Sequence, residues 1–256
     1  MALDLFHQDI GAGRPLVILH GLFGSLDNWN TLAKRWARDL RVVSVDLRNH
    51  GRSPHDPSMT YADMVDDLRV LFERLDLHDA VLLGHSMGGK AAMAYAAAHP
   101  DRLGGLIVAD IAPRTYPPGH TTIFQALRSV DLSAFDERGD VDDALSEGIP
   151  VQAVRQFLMK GLRRRDNGSF AWKFNLSALW DHYQHLIGTI QLPTPAFDRP
   201  SLVLHGGRSD YVTASDRETF SGLYPDVRFH TVEGAGHWVH AEKPREVEEV
   251  VRGFAG

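Results

Sequence analysis

At 256 residues, with 43% hydrophobic residues, 23% charged residues and a formal charge of −6, the chain has the size and composition of a folded globular protein, which excludes a disordered or fibrous one. The acidic balance excludes the strongly basic face that phosphate neutralisation on DNA or RNA requires. The lack of cysteine excludes disulfides, thiolate metal sites and a cysteine nucleophile.

The first nine residues, Met1 to Asp9, carry acids where a signal peptide needs a basic and then an apolar run. No stretch reaches the roughly 18 apolar residues of a spanning helix, so a cytoplasmic protein without a membrane span is expected. Short apolar runs at 16–19, 42–45, 81–83, 106–109, 201–204 and 227–232 alternate with longer amphipathic stretches, the rhythm of parallel strands joined by crossover helices. The expected class is α/β, a mostly parallel sheet with helices on both faces. Helices are predicted over 61–75, where Met64, Leu68, Leu71, Phe72 and Leu75 share a face, over 91–98 before His99-Pro100, and over 243–254 behind Pro244. Between 112 and 195 the rhythm breaks: no convincing strand occurs, and helical segments at 123–130, 151–165 and 176–190 follow one another between proline clusters. The expected division is a core of 1–111 and 198–256 with a helical cap, 112–197, inserted in it.

The run at 81–83 leads into Gly84-His85-Ser86-Met87-Gly88 and then an alanine-rich helix. Gly-x-Ser-x-Gly alone is often an ordinary turn; between a strand and a helix it is the pattern of a nucleophile elbow, which makes Ser86 the candidate nucleophile. The helix start behind it points free N–H groups at the site, and the N–H of Met87 is one candidate oxyanion donor. The other lies in His20-Gly21-Leu22-Phe23-Gly24, after the first run, with Leu22 the first choice and Phe23 the alternative. Gly234-Ala235-Gly236-His237-Trp238 follows the last run, which singles out His237 among the 14 histidines as general base. His237 and His240 lack a carboxylate or thiolate partner at a recognised metal-site spacing, so no metal is expected.

Five stretches, 19–25 with Asn28-Trp29, 46–53, 84–90, 110–113 and 234–240, together resemble the α/β-hydrolase superfamily, and within it the small bacterial carboxylesterases and thioesterases related to the abhydrolase-domain acyl esterases. The order, serine before histidine, is that of the superfamily. The resemblance implies a cofactor-free Ser-His-Asp acyl-enzyme mechanism acting on small-molecule acyl esters or thioesters of short to medium length, acyl-CoA included, in a monomer or homodimer. Most members carry the acid after the strand matching 202–204, three residues beyond a glycine and three before a valine. Counted from Gly206 and Val212, that place is Ser209, and Asp210 stands one residue late. Some members place the acid at an earlier strand end, where Asp110 stands here. Asp110 is therefore the preferred acid and Asp210 the alternative, with Ser209 as an auxiliary partner of His237. The stretch 46–53 shapes its loop and takes no catalytic role.

Phe23, His85, Phe124, Phe157, Trp180 and Trp238 are the candidate substrate contacts; the other apolar cap side chains read as cap core. Lys160 with Arg163, Arg164 and Arg165 forms a basic cluster that would suit the phosphates of coenzyme A, or is simply a solvated face. Carbon-carbon bond hydrolysis and cofactor-free perhydrolysis use the same triad and stay open as alternatives. So does a non-enzymatic ligand-binding receptor on this fold. Dehalogenases and epoxide hydrolases need a carboxylate where Ser86 stands.

Overall fold

In the computed structural model, which describes residues 1–256, nine strands form: β1 (His7–Gly11), β2 (Pro15–Leu19), β3 (Arg41–Val45), β4 (Ala80–His85), β5 (Leu103–Ala109), β6 (Leu162–Arg164), β7 (Phe170–Trp172), β8 (Ser201–Gly206) and β9 (Val227–Val232). Seven make one sheet in the order β1-β3-β2-β4-β5-β8-β9, parallel throughout except for β1 against β3. The central strands are buried along almost their whole length because both faces are covered, which is why they read as unbroken apolar runs. The edge strand β1, His-Gln-Asp-Ile-Gly and only partly buried, carries no such run and escaped the sequence reading.

Helices α1 (Asn30–Trp36), α2 (Tyr61–Arg74) and α3 (Met87–Ala98) connect the first strands. In α2, Thr60 and Asp63 form a capping box at the N-terminus, and Met64, Leu68, Leu71 and Phe72 turn to the sheet. Between β5 and β8 the chain leaves the sheet through α4 (Thr121–Ser129), α5 (Arg138–Ser146), α6 (Gln152–Met159), the β6-β7 hairpin, α7 (Leu176–Asp181) and α8 (Tyr183–Ile187). It ends with α9 (Ala214–Leu223), α10 (Val239–Glu242) and α11 (Pro244–Ala255). Leu32 and Trp36 of α1 and Val247 and Val251 of α11 pack on one sheet face. Helices α2 and α3 and the inserted segment share the core on the other.

The expectation of no strand in the insertion is corrected. The helix expected over 151–165 stops at Met159, and Leu162, Arg163 and Arg164 pair with Trp172, Ala171 and Phe170. Asp166-Asn167-Gly168 turns the chain, with Gly168 at φ 86°, a conformation that ends a helix and suits a hairpin loop. The two ends of the insertion meet on the elbow helix. Lys90 of α3, buried, donates from Nζ to the carbonyls of Arg114 (2.8 Å), Ile187 (3.2 Å) and Gly188 (2.5 Å). No helix is long and apolar enough to cross a membrane.

Candidate active site

The backbone turns at Ser86 from β4 into α3 with φ 54° and ψ −120°, a strained conformation for a residue with a side chain. Close backbone approach explains the flanking glycines. A Cβ on Gly84 would lie 2.1 Å from the Gly88 carbonyl oxygen, and one on Gly88 would lie 2.4 Å from that of His20. The Ser86 N–H continues the β4-β5 ladder onto the Ala109 carbonyl (3.0 Å), which sets the serine at the carboxyl edge of the sheet. The N–H of Met87, at the start of α3, has no acceptor within the chain.

One strand over, Asp110 follows β5 with φ 51°, and its N–H bonds the Leu204 carbonyl (2.8 Å). Its carboxylate is fully buried and fully engaged. Oδ1 accepts the Gly206 N–H (3.0 Å), and Oδ2 accepts the Ser209 hydroxyl (2.5 Å) and His237 Nδ1 (2.7 Å). With Nδ1–H given to the carboxylate, Nε2 of His237 is bonded to no group of the chain. The imidazole stacks on Tyr211 at 4.0 Å between centroids, and the His237 carbonyl accepts Nε2–H of His85 (2.9 Å). His237 and Ser86 line one cavity with no hydrogen bond joining them, a link that commonly tightens only when substrate binds.

The expected contact between Ser209 and His237 is corrected: the Ser209 hydroxyl donates to Asp110 instead. Next to an ionised carboxylate a hydroxyl gains a charge-assisted bond, stronger than one to a neutral ring. Asp210 is exposed, its carboxylate bonds no group of the chain, and only its carbonyl is held, by Arg114 (3.1 Å).

The loop after β2 folds back through a Gly24 N–H to Gly21 carbonyl bond (3.0 Å) and puts Phe23 at φ 62°. The Phe23 N–H is spent on His50 Nε2 (3.2 Å), which corrects its standing as an alternative oxyanion donor. The Leu22 N–H has no acceptor within the chain. Two buried histidines brace this loop against the one after β3. His50 gives Nδ1–H to the Arg48 carbonyl (2.9 Å); His20 gives Nδ1–H to the Gly21 carbonyl (2.8 Å) and accepts the Leu47 N–H on Nε2 (3.0 Å). Burial holds His50 well below the usual histidine range, and burial, opposed by Asp46, lowers His20. Asp46 completes the brace by accepting the Leu26 N–H (2.7 Å) and the Arg52 N–H (2.9 Å).

The cavity over Ser86 encloses about 230 Å³. Of the expected substrate contacts, Phe23, His85, Phe157 and Trp238 line it, the last two packing on each other at 5.6 Å. Phe124 and Trp180 do not, which corrects their assignment. Phe124 is fully buried among Phe23 (4.9 Å), Trp180 (5.3 Å) and Tyr183 (5.0 Å), and Trp180 is half-buried against it. An adjoining cavity of about 40 Å³ shares Leu22, Ser86, His120 and Tyr211 with the first and adds Ile111, Tyr116 and Ile187. Lys160, Arg163, Arg164 and Arg165 line neither; Arg164 lies over the Phe170 ring (4.5 Å) and bonds the Gly168 carbonyl (2.9 Å). No cluster of three or more His, Asp or Glu side chains is arranged to hold a metal ion.

Residues 14–244 match the family described as the alpha/beta hydrolase fold. The chain belongs to the α/β-hydrolase family. Within it, the chain is 40% identical over 241 residues to esterase YbfF of Escherichia coli (strain K12), covering 94% of this chain and 92% of that one. It is also 40% identical over 247 residues to sn-1-specific diacylglycerol lipase ABHD11 of Mus musculus, covering 93% and 80%. A solved structure described as a marine microorganism esterase superposes with a TM-score of 0.96 at 38% identity, covering 99% of this chain and all of that one.

For an α/β-hydrolase core the strand ends are the places to look, and they bring Ser86, Asp110 and His237 to one edge. Three side chains of the site escaped the sequence reading. Tyr211 carries His237 on its ring, Tyr116 donates to the Tyr211 carbonyl (2.7 Å), and His120 enters the cavity from the start of α4. Only Tyr211 stood next to a residue already in question, Asp210.

Proposed function

We propose that the chain is an ester-hydrolysing enzyme working through an acyl-serine intermediate, with Ser86 as nucleophile, His237 as general base, Asp110 as acid, and the N–H groups of Leu22 and Met87 as oxyanion donors. The observation that carries the reading is the buried Asp110 carboxylate 2.7 Å from Nδ1 of a histidine that shares its cavity with an elbow serine. Ser86 Oγ attacks the ester carbonyl while His237 Nε2 takes its proton; the oxygen that becomes negative is met by the two free N–H groups. The imidazolium, stabilised by Asp110, then protonates the departing alcohol, and water repeats the sequence to free the acid. Residues 112–197 act as the cap that roofs this site.

The apolar lining, with Ile123, Val154, Phe157 and Leu158 from the insertion, suits acyl esters of short to medium length, and the esterase and lipase relatives support ester over other substrates. The basic cluster of the β6-β7 hairpin lies outside this lining, so nothing in the placement favours coenzyme A thioesters. Covalent labelling by a fluorophosphonate and hydrolysis of p-nitrophenyl esters from acetate to octanoate test the reading. Ser86→Ala is expected to abolish labelling and to lower kcat by about 10⁵-fold or more. Labelling or turnover that survives in Ser86→Ala refutes it.

A further inference from the structure

Besides His237, four histidines line the cavity with Ser86, namely His20, His85, His120 and His240, and the protons of His85 and His120 sit differently. His85 spends its Nε2–H on the His237 carbonyl. His120, the residue before α4, is tied to Tyr183, whose hydroxyl is buried, accepts the His120 backbone N–H at 2.8 Å and lies 3.0 Å from its Nδ1. The hydroxyl has one hydrogen to give, and Nδ1 is the acceptor beside it. With the proton on Nδ1, two donors would converge on one phenol oxygen and the hydroxyl hydrogen would be buried without a partner, an unmade bond that folded proteins avoid. With the hydroxyl donating to Nδ1, the ring proton belongs on Nε2. Burial, and then the charge of His237, push His120 down to about 4, so the ring is neutral at ordinary pH.

Nε2 of His120 bonds nothing within the chain, and the residue lines both the main cavity and the adjoining one, in each case with Ser86, Leu22 and Tyr211. It therefore stands where the two spaces that hold Ser86 meet. The surrounding wall from the insertion, Ile123, Val154, Phe157 and Leu158, is apolar. A lone fixed donor in such a wall rewards a substrate oxygen and penalises a hydrocarbon in its place.

We propose that His120 is a substrate-positioning residue whose Nε2–H donates to an acceptor oxygen carried by the ester a few bonds from its scissile carbonyl, so that the enzyme prefers esters with an oxygenated acyl or alcohol part over hydrocarbon esters of the same length. The substrate side of this proposal rests on the esterase reading; the tautomer does not.

The test compares kcat/KM for p-nitrophenyl methoxyacetate with that for p-nitrophenyl butyrate, and for 2-methoxyethyl acetate with that for n-butyl acetate, in the wild type and three variants. The first pair probes the acyl side and the second the alcohol side. In His120→Phe the preference for the oxygenated member of one pair is expected to fall about 10-fold, the worth of one neutral hydrogen bond. His120→Asn can keep the bond to Tyr183 but offers no donor at the Nε2 position, and is expected to fall equally. His120→Gln, whose amide nitrogen reaches that position, is expected to restore the preference. An unchanged ratio in His120→Phe, or Asn behaving like Gln, overturns the proposal. Nitrogen NMR of the imidazole reads the tautomer without turnover: Nε2–H is expected from pH 5 to 8, and Nδ1–H overturns it. Failure of a fluorophosphonate to label Ser86 sinks the esterase reading instead, and the NMR result then decides the His120 assignment alone.

Discussion

Two strand ends compete for the same role, and their surroundings differ in kind. At the end of β5, Asp110 is fully buried and held by a backbone N–H, a hydroxyl and an imidazole. Beyond the end of β8, Asp210 stands in solvent with its carboxylate unpartnered. The two ends are adjacent, since Asp110 N–H bonds Leu204 in β8, and Ser209 lies against Asp110 itself. The difference teaches that the location beneath the histidine takes its carboxylate from the end of β5, although the end of β8 lies against it. The strand that does not supply it provides the donors that keep the charge in place, here Gly206 N–H and the Ser209 hydroxyl.

The sharpest break of this comparison is the pair Asp110→Asn and Asp210→Asn. The first is expected to lower kcat by roughly 10⁴-fold, as for an acid that sets the tautomer of its histidine. The second should stay within about 3-fold, as for an exposed side chain outside the site. Steady-state kinetics on one ester decide it, and comparable losses in both would erase the distinction. Next in size is a transplant: Ser209→Asp placed in the Asp110→Asn background should recover roughly 10-fold of the lost kcat, because the new carboxylate enters the same location from the other strand. No recovery would mean that the two strand ends are not interchangeable.

A stability measurement tests the neutral histidines around the site. Burial pushes His85 down to about 3 and His120 to about 4, against 6.5 when unfolded. A base whose folded pKa is lowered takes up protons on unfolding, so its contribution is complete above about pH 7 and drains away as pH falls through 6.5 toward the folded value. Each should cost about 2 kcal/mol of stability between pH 8 and pH 5. Denaturant titration at the two pH values reads these contributions together with those of the other buried histidines, and His120→Gln should show a smaller drop than the wild type. Equal stability at both pH values would contradict the buried, neutral state of these rings.

Much of the sheet could be read from the chain because buried parallel strands leave continuous apolar runs, and each of the six runs lies in a strand. Ser86 and His237 stood out for the same reason: each follows directly on such a run in a glycine-marked turn. Asp110 came into view only through a mismatch, the serine at 209 where a carboxylate is usual. What stayed illegible depends on contacts between distant segments. The Phe23 N–H goes to His50, 27 residues away, and the Ser209 hydroxyl to Asp110, 99 residues away. Neither choice leaves a local pattern. Phe124 and Trp180 show the converse: aromatic residues in the inserted segment look alike whether they face a substrate or one another, and these two face each other.

Lys90 gives the insertion a neck. Its three N–H groups are divided between Arg114 on the outgoing strand of chain and Ile187 and Gly188 on the returning one, so a single ammonium knots both legs to the helix that starts at Ser86. Parting the legs would strip a buried cation of its carbonyls, which ranks among the costlier local events in a protein interior. The mouth of the segment beyond the knot is therefore held in register on the helix that begins behind Ser86, as a drawstring holds the neck of a purse.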